Sequence, residues 1–198
     1  MLAQSGPKYN DATGGTITTY TVGSKTWRLH SWETAGSYDF VVTKAINPFR
    51  LCYVGAGGGG GGTDGIYQGG GGDGGWGGDV TGITLTAGTT YPIVVGGGST
   101  YTGGNTTALG YTGNGGTYGQ DGLYFNRPAG TTRGPTSNIR DGATTVQYGV
   151  FGGASGNEPA PGFSYFGKGA GGSYGGGGVI GRVGSYPGAV WIAYEIGG

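Results

Sequence analysis

The sequence is poor in the residues that most often carry chemistry or cross-link a small fold. It holds one cysteine, Cys52, and one histidine, His30. A single cysteine excludes an internal disulfide framework, and one residue of each type excludes a zinc site built from cysteine and histidine. Because the neighbours of Cys52 are Leu51, Tyr53 and Val54, we predict a buried core thiol rather than a reactive one.

Charged residues are also scarce, at 10% of the chain, and the net charge is zero. This balance argues against a nucleic-acid-binding protein, which needs a basic surface, and against a polybasic membrane patch. No run approaches the roughly eighteen apolar residues of a membrane span. The N-terminal stretch MLAQSGPKYND lacks the apolar core of a signal peptide. We therefore expect a protein made without a signal peptide, which leaves its cell, if at all, inside a particle.

Glycine, in contrast, is in great excess, at 55 of 198 residues, and much of it recurs at every third position. The longest such register runs from Gly169 to Gly184, a second from Gly110 to Gly122 and a third from Gly69 to Gly78. Three residues per turn is the pitch of the polyproline II helix. A period of three lines one edge of that helix with residues that lack Cβ, so two edges can approach until their backbones pair. We therefore predict a bundle of glycine-rich left-handed helices.

Two other interpretations of a glycine-rich sequence fit less well. Collagen needs uninterrupted triplets and abundant proline, whereas these registers are short and the chain has 8 prolines. A flexible linker would lack aromatic residues, whereas this chain has 4 Trp, 15 Tyr and 6 Phe. Ordering glycine costs up to about 1 kcal/mol more than ordering alanine. The bundle therefore needs nearly all its interhelix hydrogen bonds, and a packed apolar domain to hold it.

Segments rich in β-branched and aromatic residues flank the glycine tracts and predict strands. In chain order they are residues 17–22, 26–33, 38–43, 49–56, 80–86, 91–95 and 189–196. Gly23-Ser24 predicts a hairpin between the first two segments, and Ala87-Gly88 another between the fifth and sixth. Asn47-Pro48 should break the chain after the third segment. Pro92 indicates that the sixth is an edge strand or directs its nitrogen outward.

These patterns predict an all-β protein, an antiparallel β-sandwich of about seven strands with long glycine-rich excursions that form a polyglycine II helix bundle. The sandwich should pair the first and last strands. In the second strand Trp27 and Leu29 should face one way, and His30 and Trp32 the other. We expect an N-terminal arm or attachment segment at residues 1–14 and a single domain at residues 15–198.

Several motifs match enzyme or ion-binding signatures through glycine content alone. Residues 171–175 read G-x-S-x-G, but the single histidine lies upstream, whereas an α/β-hydrolase places it after the serine. Residues 74–79 match one unit of a calcium-binding repeat that works in tandem. We therefore expect no enzyme activity, no catalytic residue, no cofactor and no dedicated metal site. The carboxylates that could still supply oxygen to Ca²⁺ are Asp64, Asp73 and Asp79.

Aromatic residues also occur inside the glycine-rich tracts. They could cover the outer faces of the helices and shield backbone hydrogen bonds from water. Alternatively, tyrosine with glycine, serine and asparagine is the composition of adaptable recognition loops, in which rigid rings supply contact area. We expect some of these rings to be exposed and to bind a ligand. The candidate receptor-binding residues are Tyr101, Tyr111, Tyr118, Tyr124, Phe163, Tyr165 and Tyr174.

The order of these segments resembles the glycine-rich domain of bacteriophage tail-fibre and minor tail proteins. The segments that carry the resemblance are WRLHSWETAGSYDFVV, LCYVGAGGGGGG, GITLTAGTTYPIVVGGG and YPGAVWIAYEI, and the likeness spans residues 15–198. The resemblance implies a receptor-binding or fibre-tip module that is carried on a virion, and that is oligomeric and often trimeric. It identifies no individual binding residue.

We therefore expect a non-enzymatic phage virion adhesin, a tail-fibre or tail-tip module that binds a host cell-surface glycan or receptor through tyrosine-rich loop tips. Its other partners would be virion tail proteins and further copies of itself, with a homotrimer favoured. It would neither bind nucleic acid nor insert into a membrane. The alternatives are a purely structural tail-tip or decoration protein and, less favoured, an ice-binding protein, for which threonine pairs such as Thr106-Thr107 are too irregularly spaced.

Overall fold

All regular secondary structure in the described residues is β-strand. The computed structural model describes residues 11–59, 75–118, 136–141, 144–149 and 186–197. The strands are β1 Asp11–Thr13, β2 Thr16–Val22, β3 Lys25–Trp32, β4 Gly36–Lys44, β5 Ile46–Val54, β6 Gly77–Leu85, β7 Thr90–Val95, β8 Thr106–Ala108, β9 Tyr111–Gly113, β10 Thr136–Asp141, β11 Thr144–Gly149 and β12 Ala189–Gly197. Within these ranges, no helix has the length and hydropathy needed to cross a membrane.

The strands form two antiparallel five-stranded sheets and a separate hairpin. Sheet A has the order β1-β4-β7-β8-β9, sheet B has the order β2-β3-β12-β5-β6, and β10 pairs with β11. The prediction of an all-β sandwich is therefore confirmed. Beyond the seven predicted strands, the two sheets contain β1, β8 and β9, which have three residues each and are too short to show a clear alternation of apolar and polar residues. The β10–β11 hairpin was not predicted either.

The predicted hairpin between β2 and β3 is confirmed. Val22 pairs with Lys25 across a two-residue turn, and Gly23 has a φ of 63°, which suits the first central position of a type II′ turn. Sheet A starts before the predicted domain boundary, because β1 covers residues 11–13 and pairs with β4.

The predicted hairpin between β6 and β7 is wrong. β6 pairs with β5 in sheet B, whereas β7 pairs with β4 in sheet A. Leu85 and Ile93 both point into the interior from their separate sheets, so the chain between β6 and β7 turns a corner from one sheet to the other. A turn signal such as Ala87-Gly88 marks a reversal but does not say whether the flanking strands share a sheet.

Asn47-Pro48 also sits differently from expectation, and one of the two alternatives for Pro92 is excluded. Asn47-Pro48 does not break the chain between strands: β4 and β5 are separated by Ala45, and Pro48 lies inside β5 where its register with β6 shifts. Pro92 is not on an edge strand, since β7 lies between β4 and β8. The ladder between β7 and β8 includes only Ile93 and Val94 of β7, so that Pro92 lies just beyond it.

The last strand closes the fold at the centre of sheet B. β12 pairs with β3 on one side and with β5 on the other, so it does not pair with β2 as predicted. Residues 189–194 are fully buried, which explains why this segment has the most continuous apolar pattern.

Sheet B is buried on both faces at its central strands, β3, β12 and β5. Its inner face packs against sheet A in one core cluster, which includes Trp32, Phe40 and Ile192. Its outer face carries a second cluster, which includes Trp27, Leu29 and Trp191. The predicted alternation along β3 is therefore confirmed.

Cys52 lies in this second cluster, and burial raises the pKa of its thiol well above the usual range. We expect a thiol reagent to label the native protein only as fast as the protein opens, and to label the urea-unfolded protein at the rate of a free thiol. The measurement is the rate of absorbance change with a disulfide reagent in both states. Equal rates in the two states would contradict the buried position.

Candidate recognition surface on a glycine bundle

Six chain segments meet at one end of the sandwich and continue beyond it. Three of them leave strands β5, β7 and β9, and these are residues 55–59, 96–98 and 114–118. The other three lead into strands β6, β8 and β12, and these are residues 75–76, 101–105 and 186–188. Backbone hydrogen bonds link all six. We call these segments the legs of the glycine bundle.

The central leg, 55–59, has the hydrogen-bond pattern of a polyproline II helix. Its first three amides donate to three different legs. The acceptors of residues 55, 56 and 57 are the carbonyl oxygens of Trp76, Gly104 and Tyr186, at N···O distances of 2.8, 3.0 and 3.1 Å. A helix with three residues per turn directs its successive amides in three different directions, as is seen here.

The repeat of three appears again between neighbouring legs. Ala56 and Gly59 donate to Gly104 and Tyr101, so that residues three apart pair with residues three apart on an antiparallel leg. A Cβ on Gly55 would overlap the carbonyl of Asn114, and a Cβ on Gly58 would overlap that of Thr117. Residues three apart on the central leg therefore also contact residues three apart on a parallel leg. The predicted glycine helix bundle is therefore present at this end of the sandwich.

In the described residues, the legs coincide only in part with the tracts in which glycine recurs at every third position. In the second predicted register Gly110 lies in the turn between β8 and β9 with a φ of 84°, Gly113 ends β9, and only Gly116 of the described glycines lies in a leg. In the third, Gly75 belongs to a leg and Gly78 to β6. The register from 169 to 184 lies outside the described residues.

Tyr101 and Tyr118 come together where two legs reach their outermost described level. Tyr101 opens an incoming leg, and its carbonyl accepts a 2.8 Å hydrogen bond from Gly59, the last described residue of the central leg. Tyr118 is the last described residue of an outgoing leg. The ring centroids lie 5.9 Å apart with an interplanar angle of 74°, an edge-to-face contact. The residues remain 58% and 46% exposed, respectively. We call this pair the aromatic tip.

Of the other sequence-predicted candidates, only Tyr111 lies in the described residues. Tyr111 is half-buried in β9, and its ring packs 5.9 Å from that of Tyr53, so it is separate from the aromatic tip. Burial, with the neighbouring Tyr111 as a second cause, raises the pKa of Tyr53. The candidates outside the described residues are Tyr124, Phe163, Tyr165 and Tyr174.

Two further exposed aromatic residues, Trp76 and Tyr186, were not among the predicted candidates. They are 54% and 58% exposed, and each has its carbonyl hydrogen-bonded to the central leg. Each directly precedes a strand or the short lead into one, after a glycine-rich tract. That position is the signal in the sequence that could have identified them.

The candidate calcium ligands do not form a site within the described residues. Asp79 is exposed on β6, where it pairs with Cys52, and Asp64 and Asp73 lie outside the described ranges. No group of three or more histidine, cysteine or acidic side chains that could hold a metal ion occurs in that part of the chain.

A buried polar network between the sheets is the other titratable cluster. The carbonyl of Gly14 can only accept, so His30 donates to it through Nδ1 at 2.7 Å, and the Tyr194 hydroxyl donates to Nε2 at 2.9 Å. Arg28 hydrogen-bonds the Tyr194 hydroxyl and pairs with Asp11. Burial lowers the pKa of His30 and raises that of Tyr194.

This network ties β1 to sheet B, and its two ring residues lie in the interior. His30 and Tyr194 are both fully buried, and the bonds between them and Gly14 use both ring nitrogens of the histidine. We therefore interpret the cluster as a structural clasp across the sandwich, not as a catalytic site.

Comparisons of this chain with protein-family models and with curated proteins find no match.

Proposed function

We propose that this chain is a non-enzymatic adhesin of a phage tail, which binds a host cell-surface glycan or receptor through the aromatic tip. The observation that carries the proposal is the pair of exposed tyrosine rings at the outermost described level of the bundle, beside a central leg that hydrogen-bonds to several neighbouring legs. Virion localisation, association with other tail proteins and a trimeric state belong to the same proposal and rest on the resemblance in segment order.

The glycine bundle supports this role because it holds the backbone of Tyr101 through hydrogen bonds. The backbone of Tyr101 is bonded to Gly59 through its carbonyl and to the Ser99 hydroxyl through its amide. A side chain on a fixed backbone loses less freedom on binding than one on a mobile loop, so more of its contact energy appears as affinity. Tyrosine rings with about half their surface exposed are among the residue types that dominate binding interfaces.

Replacing Tyr118 by alanine is expected to weaken binding to host cells about tenfold, which corresponds to about 1.4 kcal/mol, with the melting temperature unchanged. The change removes half-exposed ring surface and leaves the leg backbone intact. Fluorescently labelled protein would be titrated onto a panel of bacterial strains. Thr84→Ala is the matched control, because Thr84 is an exposed β6 residue near the end of the strand away from the bundle.

The structural alternative predicts a different result from the same variants. If the rings serve only subunit contacts in a virion, the isolated protein will bind no strain, and Tyr118→Ala will change its oligomeric mass. If binding falls only in proportion to the folded fraction, the tip has no role in recognition and the proposal is wrong.

A further inference from the structure

We infer that the ligand of the aromatic tip is an uncharged saccharide. This inference rests on the proposed function and narrows it from any surface glycan or receptor to one chemical class. It is carried by the charge, the hydroxyl content and the ring geometry of the described bundle.

The legs of the bundle contain no charged residue. Across 55–59, 75–76, 96–105, 114–118 and 186–188 there is no Asp, Glu, Lys, Arg or His. A carboxylate, phosphate or ammonium group brought against this surface would lose water without gaining an opposite charge, which costs several kcal/mol when the group is buried. The surface therefore disfavours anionic glycans and charged peptides alike.

Uncharged hydrogen-bonding residues flank the two tyrosines in the sequence instead. Thr100, Thr102 and Thr117 are exposed neighbours of the two tyrosines in sequence, and each hydroxyl can donate one hydrogen bond and accept two. A sugar hydroxyl has the same dual capacity, so it can pair with such groups in either direction. A protein partner would instead be expected to meet a larger apolar area at the centre of its interface.

The angle between the rings fits a sugar better than a flat ligand. Ring planes inclined at 74° do not form a slot between parallel faces. The negative face of an aromatic ring attracts the weakly positive C–H groups on one side of a pyranose. The hydroxyl rim of the same sugar then remains free to reach the threonines.

The test uses the full chain on an array of immobilised neutral and acidic bacterial polysaccharides, with binding read by fluorescence at about 20 mM and about 500 mM NaCl. We expect binding to neutral members that changes less than about twofold with salt, because no ion pair is screened. Tyr118→Ala should lower that binding about tenfold, and Tyr118→Phe, which keeps the ring, should lower it less. Thr84→Ala should leave it unchanged.

Three results would overturn the inference, and only one of them also removes the proposed function. Binding to acidic members only, or binding that falls more than about tenfold with salt, would show a charged ligand on a functioning adhesin. Binding to bacterial cells that survives periodate oxidation of their glycans would show a protein receptor, again on a functioning adhesin. Binding to neither the array nor any strain of the panel would remove the adhesin proposal as well.

Discussion

Replacing Gly58 by alanine is expected to disrupt the glycine bundle and to lower the free energy of unfolding by about 3–5 kcal/mol. A Cβ at this position would overlap the carbonyl carbon and oxygen of Thr117, and neither is the end of a flexible side chain. The leg must move as a whole, which breaks the hydrogen bonds that its amides make to several neighbours at once. For a chain of this length the melting temperature should fall by roughly 10 °C.

Gly97→Ala is the matched control for this substitution. Gly97 is an exposed residue in another leg, and a Cβ there would meet only Ala35 Cβ at 3.7 Å, an ordinary contact. This change should leave stability unaltered or raise it by about 0.4–1 kcal/mol, because alanine has less conformational freedom in the unfolded chain. Urea unfolding followed by tryptophan fluorescence measures both variants. Equal stabilities for the two would refute the close approach of the legs.

A fall in stability below neutral pH is the second large effect that we expect. Burial lowers the pKa of His30 from its ordinary value of 6.5, against a smaller opposing effect of its bond to Gly14, and the charge of Arg28 lowers it further. Between the folded pKa and 6.5 the unfolded chain therefore binds a proton that the folded chain does not. The contribution of neutral, buried His30 to the free energy of unfolding is therefore present in full above pH 6.5. It is lost as the pH falls from there towards the folded pKa.

His30 is the one histidine of the chain, so that its effect can be isolated. Urea midpoints measured from about pH 7.5 to about pH 5.5, above the range of ordinary carboxylates, should fall for the natural protein. They should change much less for His30→Gln, whatever the absolute stability of that variant. A proton NMR titration that follows the imidazole ring protons of His30 gives the folded pKa directly. Parallel pH profiles for the two proteins would show that the clasp does not titrate in this range.

The sequence predicted where strands lie better than how they pair. Trp27, Leu29, His30 and Trp32 alternate between two buried faces of sheet B, and that alternation is a local property of β3. The position of β12 depends instead on which long-range neighbours bury it best, and no local pattern encodes that choice. The corner after β6 was mistaken for a hairpin for the same reason, because the turn residues are alike in both cases.

The sequence predicts that a glycine helix bundle exists, but it predicts the residues that form the bundle only in part. The central leg at 55–59 lies in a stretch of nearly continuous glycine, in which no period can be seen. Within the described part of each leg, single glycines such as Gly55 and Gly58 occupy the close contacts, and they are too few to show a period. Gly110 shows the opposite error, since it satisfies the period of three but serves a hairpin turn. The exposure of Tyr101 and Tyr118 could be expected from composition, whereas their pairing required the antiparallel and parallel legs to be known.

The three-residue repeat of the legs also determines how the length of this module can change. Three residues added to an outgoing leg and three to the incoming leg beside it extend the bundle by one turn, about 9 Å, and return every amide to its original direction. A single added residue would instead rotate all later residues of that leg by about 120° and would turn its glycines away from their contacts. Growth in whole turns therefore carries the tyrosines outward along the bundle axis without changing the direction in which their rings face.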